Sequence, residues 1–213
     1  MSESIALNID CMEYMATLPD KAFDLAIVDP PYGINVTKMN MGGRSTVKPD
    51  KSKTWDCGIP SQEYFSELFR VSKNQIIWGG NYFHLPRSQY FAIWDKGETM
   101  YGRDFAECEY AWIRKGGTRI YKLSPNQIDR IHPTQKPVAL YEWLLTNYAK
   151  EGDRILDTHL GSGSSRIAAY NLGFDFVGCE IDKEYFDKQE ERFARHTAQT
   201  SLFVEGFDEQ SLL

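Results

Sequence analysis

A rigid turn follows the first long apolar run of this sequence. Residues Phe23–Val28 lead directly into Asp29, Pro30, Pro31 and Tyr32. The two prolines fix φ and remove two backbone donors, so a free carboxylate, a free Pro30 carbonyl and an aromatic face point the same way from the end of the run. Two acceptors beside a ring suit an exocyclic amine on a planar base. A structural Pro-Pro corner is the alternative.

An amine of that kind is a poor nucleophile, because its lone pair is delocalised into the ring. Asp29 and the Pro30 carbonyl can each accept one N–H. This shifts the nitrogen towards sp³ and makes it a better nucleophile, while Tyr32 stacks on the base. The route needs no covalent enzyme intermediate, and the sequence has no Pro-Cys nucleophile motif.

A second motif, DTHLGSGSS at residues 157–165, lies between a short apolar run and a helical pattern. Its amides and the helix N-terminus can hold an anionic group. Glu180, nineteen residues after Gly161, can accept hydrogen bonds from ribose hydroxyls. Arg166 stands where a dinucleotide fingerprint has its third glycine. The loop therefore favours a cofactor with an adenosine and a carboxylate but no pyrophosphate, such as S-adenosylmethionine. A plain tight turn is the alternative.

The elements around both motifs alternate between β-type runs and helical patterns, which is typical of an α/β fold. Predicted strands are SIALNI, FDLAIV, QIIWGG, YFAIWD, CEYAWIR, RIL and FDFVGCE. Predicted helices are DCMEYMATL, SQEYFSELFRV, PVALYEWLLTNYA, SRIAAYNLG and KEYFDKQEERFARH, with Asp10 and Asp182 as candidate caps. Residues 35–54 and 115–131 are expected to form irregular basic loops.

The composition predicts a single domain, because 213 residues of which 42% are apolar can bury one sizeable core. The net charge of −6 argues against a nucleic-acid ligand, but it hides a local asymmetry. Residues 38–53 carry five basic side chains and one acid, and residues 114–136 carry six and one. Two basic segments in an acidic protein suit a polyanion bound on one face, with solvated loop charge as the alternative.

Several classes of protein are not expected from the composition. The four cysteines form no C-x-x-C pair, so we expect neither a disulfide framework nor a zinc or other metal site. No apolar stretch approaches the ~20 residues that span a bilayer, and the first residues lack a signal-peptide pattern. We therefore expect a cytoplasmic protein.

With both motifs in this order, the chain resembles amino-methylating DNA methyltransferases, specifically the N6-adenine group with permuted motif order. This is the beta type of the DNA N-4/N-6 methylase family. Four further stretches match it over residues 5–195: IDCMEYMATLPDKAFDLAIVDPPY, HPTQKP, VGCEID and, as in small phage-type members, WGGNYF. The resemblance implies the class I S-adenosylmethionine-dependent methyltransferase (Rossmann-like) fold, circularly permuted. It has a mostly parallel seven-stranded sheet, one reversed strand and helices on both faces.

The resemblance also implies a set of site residues. Those expected to be catalytic are Asp29, Pro30 and Tyr32. Those expected to bind the cofactor are Asp10, Cys11, Asp29, His132, Thr134, Lys136, Asp157, His159, Gly161, Ser162, Gly163, Ser164 and Glu180. Asp10 and the Cys11 backbone are expected at the adenine of the cofactor, Glu180 at the ribose and Asp157 near the methionine end.

One position departs from the family pattern. The family usually has Asp-Pro-Phe where this sequence has Asp157, Thr158 and His159. His159 could replace the phenylalanine as a flat ring with an added hydrogen-bonding edge, or it could mark weakened cofactor binding. A histidine satisfied by a nearby backbone carbonyl is the plainer alternative. A catalytic base at His159 is disfavoured, since Asp29 already accepts from the amine.

The partner implied by the resemblance is double-stranded DNA, from which the target base is flipped onto Tyr32. Residues 35–54 and 115–131 are the expected contacts, and we expect a short target site. The candidate readers of guanine edges are Arg44, Arg114, Arg119 and Arg130. Gln199, Leu202 and Phe203 in the expected C-terminal tail, residues 199–213, resemble a peptide that docks on the replication sliding clamp. A chance match or a tail packed on its own domain is the alternative. The family also implies a homodimer.

We therefore interpret the sequence as a bacterial or phage-encoded, nucleoid-associated DNA methyltransferase of the restriction-modification type, acting on adenine N6. Cytosine-N4 methylation also activates an exocyclic amine, but Ser-Pro-Pro-Tyr is commoner in the enzymes that carry it out, so Asp29 favours adenine. Methylation of RNA or protein amines is disfavoured by the motif order. A non-catalytic DNA-binding module that senses S-adenosylmethionine is the alternative from another class.

Overall fold

A computed structural model describes residues 2–39, 47, 50–103 and 106–205, with side chains up to residue 199. Eight strands form one sheet in this part of the chain: Ser4–Leu7 (β1), Phe23–Val28 (β2), Ser72–Trp78 (β3), Tyr90–Asp95 (β4), Cys108–Ile113 (β5), Arg119–Lys122 (β6), Arg154–Asp157 (β7) and Asp175–Cys179 (β8). The α-helices are Cys11–Ala16 (α1), Gln62–Val71 (α2), Val138–Tyr148 (α3), Ser164–Asn171 (α4) and Lys183–Glu205 (α5). The strand order is β1-β8-β7-β2-β3-β5-β4-β6.

The sheet is mostly parallel with one reversed strand, as predicted. Only β5 runs against its neighbours β3 and β4. The strand count is eight rather than seven, because β6 lies in the segment that was expected to be an irregular loop. β6 pairs in parallel with β4, and its Tyr121 stacks on Trp143 of α3 with ring centroids 4.9 Å apart. This packing depends on residues far away in sequence, so a strand of four residues forms without a local signal.

Helices cover both faces of the sheet, which confirms the predicted layers. Within β2, Leu25 and Ile27 pack on the side of α3 and α4, while Ala26 and Val28 pack on the side of α1 and α2. This alternation explains why the run is apolar throughout, since a central strand with helices on both sides is buried on both faces. Asp10 begins α1 as predicted, with its carboxylate 2.7 Å from the Met12 amide.

The last helix is longer than predicted. Asp182 caps it by accepting from the Glu184 and Tyr185 amides, at 3.0 and 3.2 Å. No glycine or proline occurs between the start of α5 and its end at Glu205, so the chain continues as a helix. The prediction that residues 199–205 belong to a tail after the last helix is therefore wrong. The remainder of that segment, residues 206–213, lies outside the described residues.

Three further properties concern the described ranges alone. No helix there combines the length and apolar character needed to cross a membrane. The four cysteines are free thiols. No cluster of His, Cys, Asp and Glu side chains within those ranges could hold a metal ion.

Candidate active site

Three carboxylates meet at one edge of the sheet, where three adjacent parallel strands end. Asp29 follows β2, Asp157 ends β7 and Glu180 follows β8. Burial raises the pKa of Asp157 to about 7, and the nearby Asp29 and Glu180 charges act in the same direction. The two motifs that are 128 residues apart in sequence therefore share one site. This edge is where ligands bind in open α/β sheets.

The turn after β2 is held by a buried acid that the sequence did not point to. Asp56, only 2% exposed, accepts from the backbone amides of Tyr32 at 2.8 Å, Gly33 at 2.9 Å and Val36 at 2.8 Å. Three charge-assisted hydrogen bonds fix the backbone directly behind the Tyr32 ring. A single acid in a loop resembles any solvated loop acid, so no local signal marks Asp56 as buried.

The Tyr32 ring lies against the WGGNYF segment. Tyr82 stacks on it with centroids 4.9 Å apart and planes 11° apart, and Phe83 contacts it edge-on at 6.1 Å. Gly79 has φ +69°, and a Cβ there would lie 2.2 Å from the Tyr32 ring. Gly79 thus leaves room for Tyr32, whereas a Cβ at Gly80 would lie 2.5 Å from Trp112. In this conformation Tyr82 covers one face of the Tyr32 ring.

Asp29 is also not the free carboxylate that the turn alone predicted. Its Oδ1 accepts from the Tyr32 hydroxyl at 2.6 Å, and its Oδ2 lies 2.6 Å from the Lys136 ammonium. The Asp29 side chain is only 18% exposed, so a charge there needs a partner. The Lys136 ammonium is that partner. The sequence had assigned Lys136 to cofactor binding, whereas the structure places its ammonium at the proposed catalytic acid.

Lys136 is shared between two carboxylates. Its ammonium lies 3.0 Å from Glu109, which also contacts Lys96 at 2.8 Å. Burial would lower the pKa of Lys136, but Asp29 and Glu109 raise it above its ordinary value. Burial would raise the pKa of Glu109, but Lys136 and Lys96 lower it to about 2. Both groups are therefore charged. Glu109 lies on the same face of β5 as the buried Ala111 and Ile113. An acid at a position that strand alternation assigns to the core is therefore the sequence signal that could have identified Glu109.

The glycine loop is tied to the acid that follows β8. Gly161 and Gly163 adopt φ of +51° and +73°, conformations that favour glycine. The Gly161 amide donates to Glu180 at 2.8 Å, and the Asp182 amide donates to the other oxygen of Glu180 at 2.8 Å. Burial raises the pKa of Glu180. Two of the predicted cofactor ligands thus hold each other in place.

The serines of the loop are buried and hydrogen-bonded within the protein. Ser162 and Ser164 contact each other through their hydroxyls at 3.1 Å. Arg192 of α5 donates to the Ser162 carbonyl at 2.9 Å and to the Ser164 hydroxyl at 3.0 Å. Ser165 donates to Asp157 at 2.5 Å. Arg192 was not predicted, because its place on a charged helix face gives no indication of burial.

The HPTQKP segment connects the two motifs. At one end, the His132 ring lies beside the glycine loop, with its Cδ2 4.0 Å from where a Cβ of Gly161 would be. Its Nδ1 is 3.1 Å from the Thr134 hydroxyl. Burial, together with the nearby Lys53 charge, lowers the pKa of His132 to about 3, so the ring is neutral. At the other end, Lys136 contacts Asp29. The segment therefore spans the whole site.

Two adjoining cavities open beside these loops. The first, of about 120 Å³, is lined by Ile9, Asp10, Cys11, Thr158, His159, Cys179, Glu180 and Ile181. The second, of about 260 Å³, is lined by Asp10, Cys11, Met12, Pro31, Gly58, Ile59, Pro60, Ser61, Tyr64 and His159. Three predicted cofactor residues, Asp10, Cys11 and His159, border both. Burial raises the pKa of the Cys11 thiol to about 12. The thiol therefore stays protonated and lines the cavity without acting as a nucleophile.

Comparison with known proteins identifies the family. A model of the DNA methylase family, which covers N6 and N4 amino methylation, matches residues 77–191. The chain belongs to this family. YubD of Escherichia coli (strain K12), described as a methylase, is 26% identical over 207 residues, covering 87% of this chain and 88% of that protein. The type II methyltransferase M2.DpnII of Streptococcus pneumoniae is 25% identical over 235 residues, covering 86% and 87%.

A solved structure shares the fold. The M1.HpyAVI–SAM complex aligns with a TM-score of 0.59 at 20% identity, covering 89% of this chain and 98% of that one. The class I methyltransferase fold is thereby confirmed, and DNA methylases of this family use S-adenosylmethionine to methylate DNA. The residues at the cavities fit such a cofactor. Asp10 and Glu180 carry carboxylate oxygens at the wall of the first cavity, where the acceptors for a nucleoside would be needed, and the Gly161 amide holds Glu180 in place.

The predicted DNA contacts differ in their surroundings. Arg119 on β6 is exposed, and Arg114 is exposed with its guanidinium 5.2 Å from the Phe69 ring centre. Arg130 instead donates to the Pro125 carbonyl at 3.1 Å within its own loop. In the first basic segment, Lys53 binds acids at the start of α5 and is not a free basic contact. Arg44 lies outside the described residues.

Proposed function

We propose that this DNA methylase transfers a methyl group to the N6 amine of an adenine flipped out of double-stranded DNA. The observation that carries the proposal is the position of Asp29. It lies at the end of β2, beside Asp157 and Glu180, in a turn fixed by Asp56. An aspartate at the first position of this turn favours adenine over cytosine N4. The family match is compatible with either base.

The cofactor pocket comprises the walls of the two cavities. Asp10 and the Cys11 backbone hold the adenine edge, Glu180 accepts from the ribose hydroxyls, and Asp157 lies at the methionine end. The remaining predicted contacts are His132, Thr134, His159, Gly161, Ser162, Gly163 and Ser164. S-adenosylmethionine, when bound, supplies an electrophilic methyl group on a sulfonium centre. The loops exclude water from the sulfonium centre and fix the direction from which the target amine approaches its methyl group.

Asp29 and the Pro30 carbonyl accept the two N–H groups of the target amine. Each carboxylate oxygen has a second lone-pair direction, so Asp29 can accept from the amine while Tyr32 and Lys136 stay bonded to it. Because Lys136 is shared with Glu109, Asp29 keeps part of its negative charge for the amine. That charge strengthens the hydrogen bonds that make the nitrogen nucleophilic.

The target base stacks on Tyr32. In this structure Tyr82 occupies that position and is 43% exposed, with its ring nearly parallel to Tyr32. We infer that the base displaces Tyr82 from Tyr32 on entry. The exposed Arg114 and Arg119 contact the DNA beside the flipped base. A homodimer stays a prediction from the family resemblance.

The test is expression in a host without DNA methylation, followed by modification-sensitive sequencing of the host DNA. We expect N6-methyladenine at one short sequence, and none when Asp29→Ala is expressed. Asp20→Ala, which removes an exposed acid in the loop before β2, is the matched control and should retain methylation. N4-methylcytosine in place of N6-methyladenine would overturn the choice of base. Cofactor binding without methylation of any DNA would support a sensing module instead.

A further inference from the structure

A chain of hydrogen bonds runs from the core to the wall of the cofactor cavities. The Tyr64 hydroxyl lies 2.6 Å from the Thr158 hydroxyl, which lies 3.0 Å from Nδ1 of His159. Tyr64 and Thr158 are each only 3% exposed. The His159 ring packs edge-on against the Tyr64 ring at 5.3 Å, and the His159 amide donates to Asp157 at 3.0 Å. Both the position and the orientation of the imidazole are therefore fixed.

The direction of the protons along this chain follows from burial. The Tyr64 O–H contacts no other acceptor within the described residues, so its proton must go to Thr158, because a buried unpaired donor is costly. The Thr158 hydroxyl then directs its own proton to Nδ1 of His159. With Nδ1 accepting, the single proton of a neutral imidazole is on Nε2.

The remaining edge of the ring faces the proposed cofactor site. His159 borders both cavities, together with Asp10 and Cys11. Its Nε2 makes no hydrogen bond within the part of the chain that the structure describes. Burial lowers the pKa of His159 to about 4, so the ring is neutral near pH 7.

We propose that His159 is a cofactor-specificity residue that donates an Nε2–H hydrogen bond to an acceptor on the nucleoside part of the cofactor. Thr158 and Tyr64 act as positioning residues that fix its tautomer. The proposal rests on the proposed function, because it assigns the same cavities to the cofactor. It explains how a histidine serves at a cavity wall without acting as a base. A neutral donor recognises a ring nitrogen or ribose oxygen and does not alter the charge of the site.

The first test is nitrogen NMR of the imidazole side chains in the full-length protein, with the His159 signals assigned from their loss in His159→Phe. We expect a neutral Nε2–H tautomer that shifts when S-adenosylhomocysteine is added. The exposed His84 is the internal control and should not shift. In Thr158→Val the Nδ1 partner is lost, so we expect a mixture of tautomers. Thr158→Ser restores the hydroxyl and should restore a single tautomer. A neutral Nδ1–H tautomer in the unaltered protein would overturn the proposal.

The second test is calorimetric titration with S-adenosylhomocysteine, which avoids turnover. Loss of one neutral hydrogen bond predicts a Kd about 3- to 10-fold higher in His159→Phe and in Thr158→Val, and about unchanged in Thr158→Ser. Tyr64→Phe should give an intermediate Kd, because the Thr158 oxygen then lacks the Tyr64 donor and can accept from an Nδ1–H instead. Equal Kd values for the unaltered protein and His159→Phe would overturn this inference alone. No binding by the unaltered protein would overturn the proposed function with it.

Discussion

Two clusters at the same edge of the sheet stabilise their carboxylates by different interactions. At the end of β2, Asp29 is balanced by a buried ammonium, Lys136, which is also shared with Glu109. At the end of β7, Asp157 forms no ion pair with any described residue and accepts hydrogen bonds from the Ser165 hydroxyl and the His159 amide. The first cluster keeps a fixed charge, whereas the raised pKa of Asp157 makes the second cluster sensitive to pH. The difference matches the two roles that we propose for these acids, which are polarising an amine and receiving a cationic cofactor.

The largest expected effect comes from removing the shared cation. Lys136→Met leaves Asp29 and Glu109 buried without their common partner, and we expect a loss of about 3 to 5 kcal/mol in the free energy of unfolding. Adding Glu109→Gln removes the carboxylate that then has only Lys96 as its partner, and should recover part of that loss. Denaturant unfolding of the single and double variants measures both. An unaffected midpoint in Lys136→Met would show that the charges are not coupled.

A smaller, pH-dependent effect is expected at Asp157. Its pKa is near 7 in the folded protein and about 3.9 when unfolded, so the folded state binds the additional proton between these values. Stability contributed by the protonated acid is present at low pH and lost as the pH rises through about 7. From about pH 5 to about pH 8, the unaltered protein should therefore lose roughly 2 to 3 kcal/mol more than Asp157→Asn. Parallel stability curves for the two proteins would contradict a raised pKa.

The smallest expected effect is at the hydroxyl that holds Asp157. Ser165→Ala removes a hydrogen bond to the charged carboxylate and should cost about 1 to 3 kcal/mol at about pH 8. The fall in stability should also occur at a higher pH in Ser165→Ala, because the lost hydrogen bond lowers the pKa of Asp157. Ser66→Ala, on the exposed side of α2, is the control and should change neither quantity. A shift of the fall to lower pH would contradict the assignment.

Local patterns predicted most of the elements and both motifs. The apolar run of β2, the helical spacing of α2 and the caps Asp10 and Asp182 depend on neighbours in sequence. The strand order, which the structure supplies, brings the ends of β2, β7 and β8 together, so that Asp29, Asp157 and Glu180 share one edge of the sheet.

Partners that are distant in sequence could not be predicted in this way. β6 is a strand because it pairs with β4 and packs on Trp143, and Asp56 is structural because three amides of another turn point at it. Asp29 was expected to be free, because nothing near it in sequence reveals the approach of Lys136. Only Glu109 left a usable signal, since alternation in β5 places this acid on the core face.

The most direct measurement of the central claim uses duplex DNA incubated with S-adenosylmethionine carrying a labelled methyl group, followed by mass spectrometry of the nucleosides. The unaltered protein should place the label on the N6 amine of adenine, and Asp29→Ala should place none. Label on the N4 amine of cytosine, or label on adenine that survives Asp29→Ala, would contradict the account.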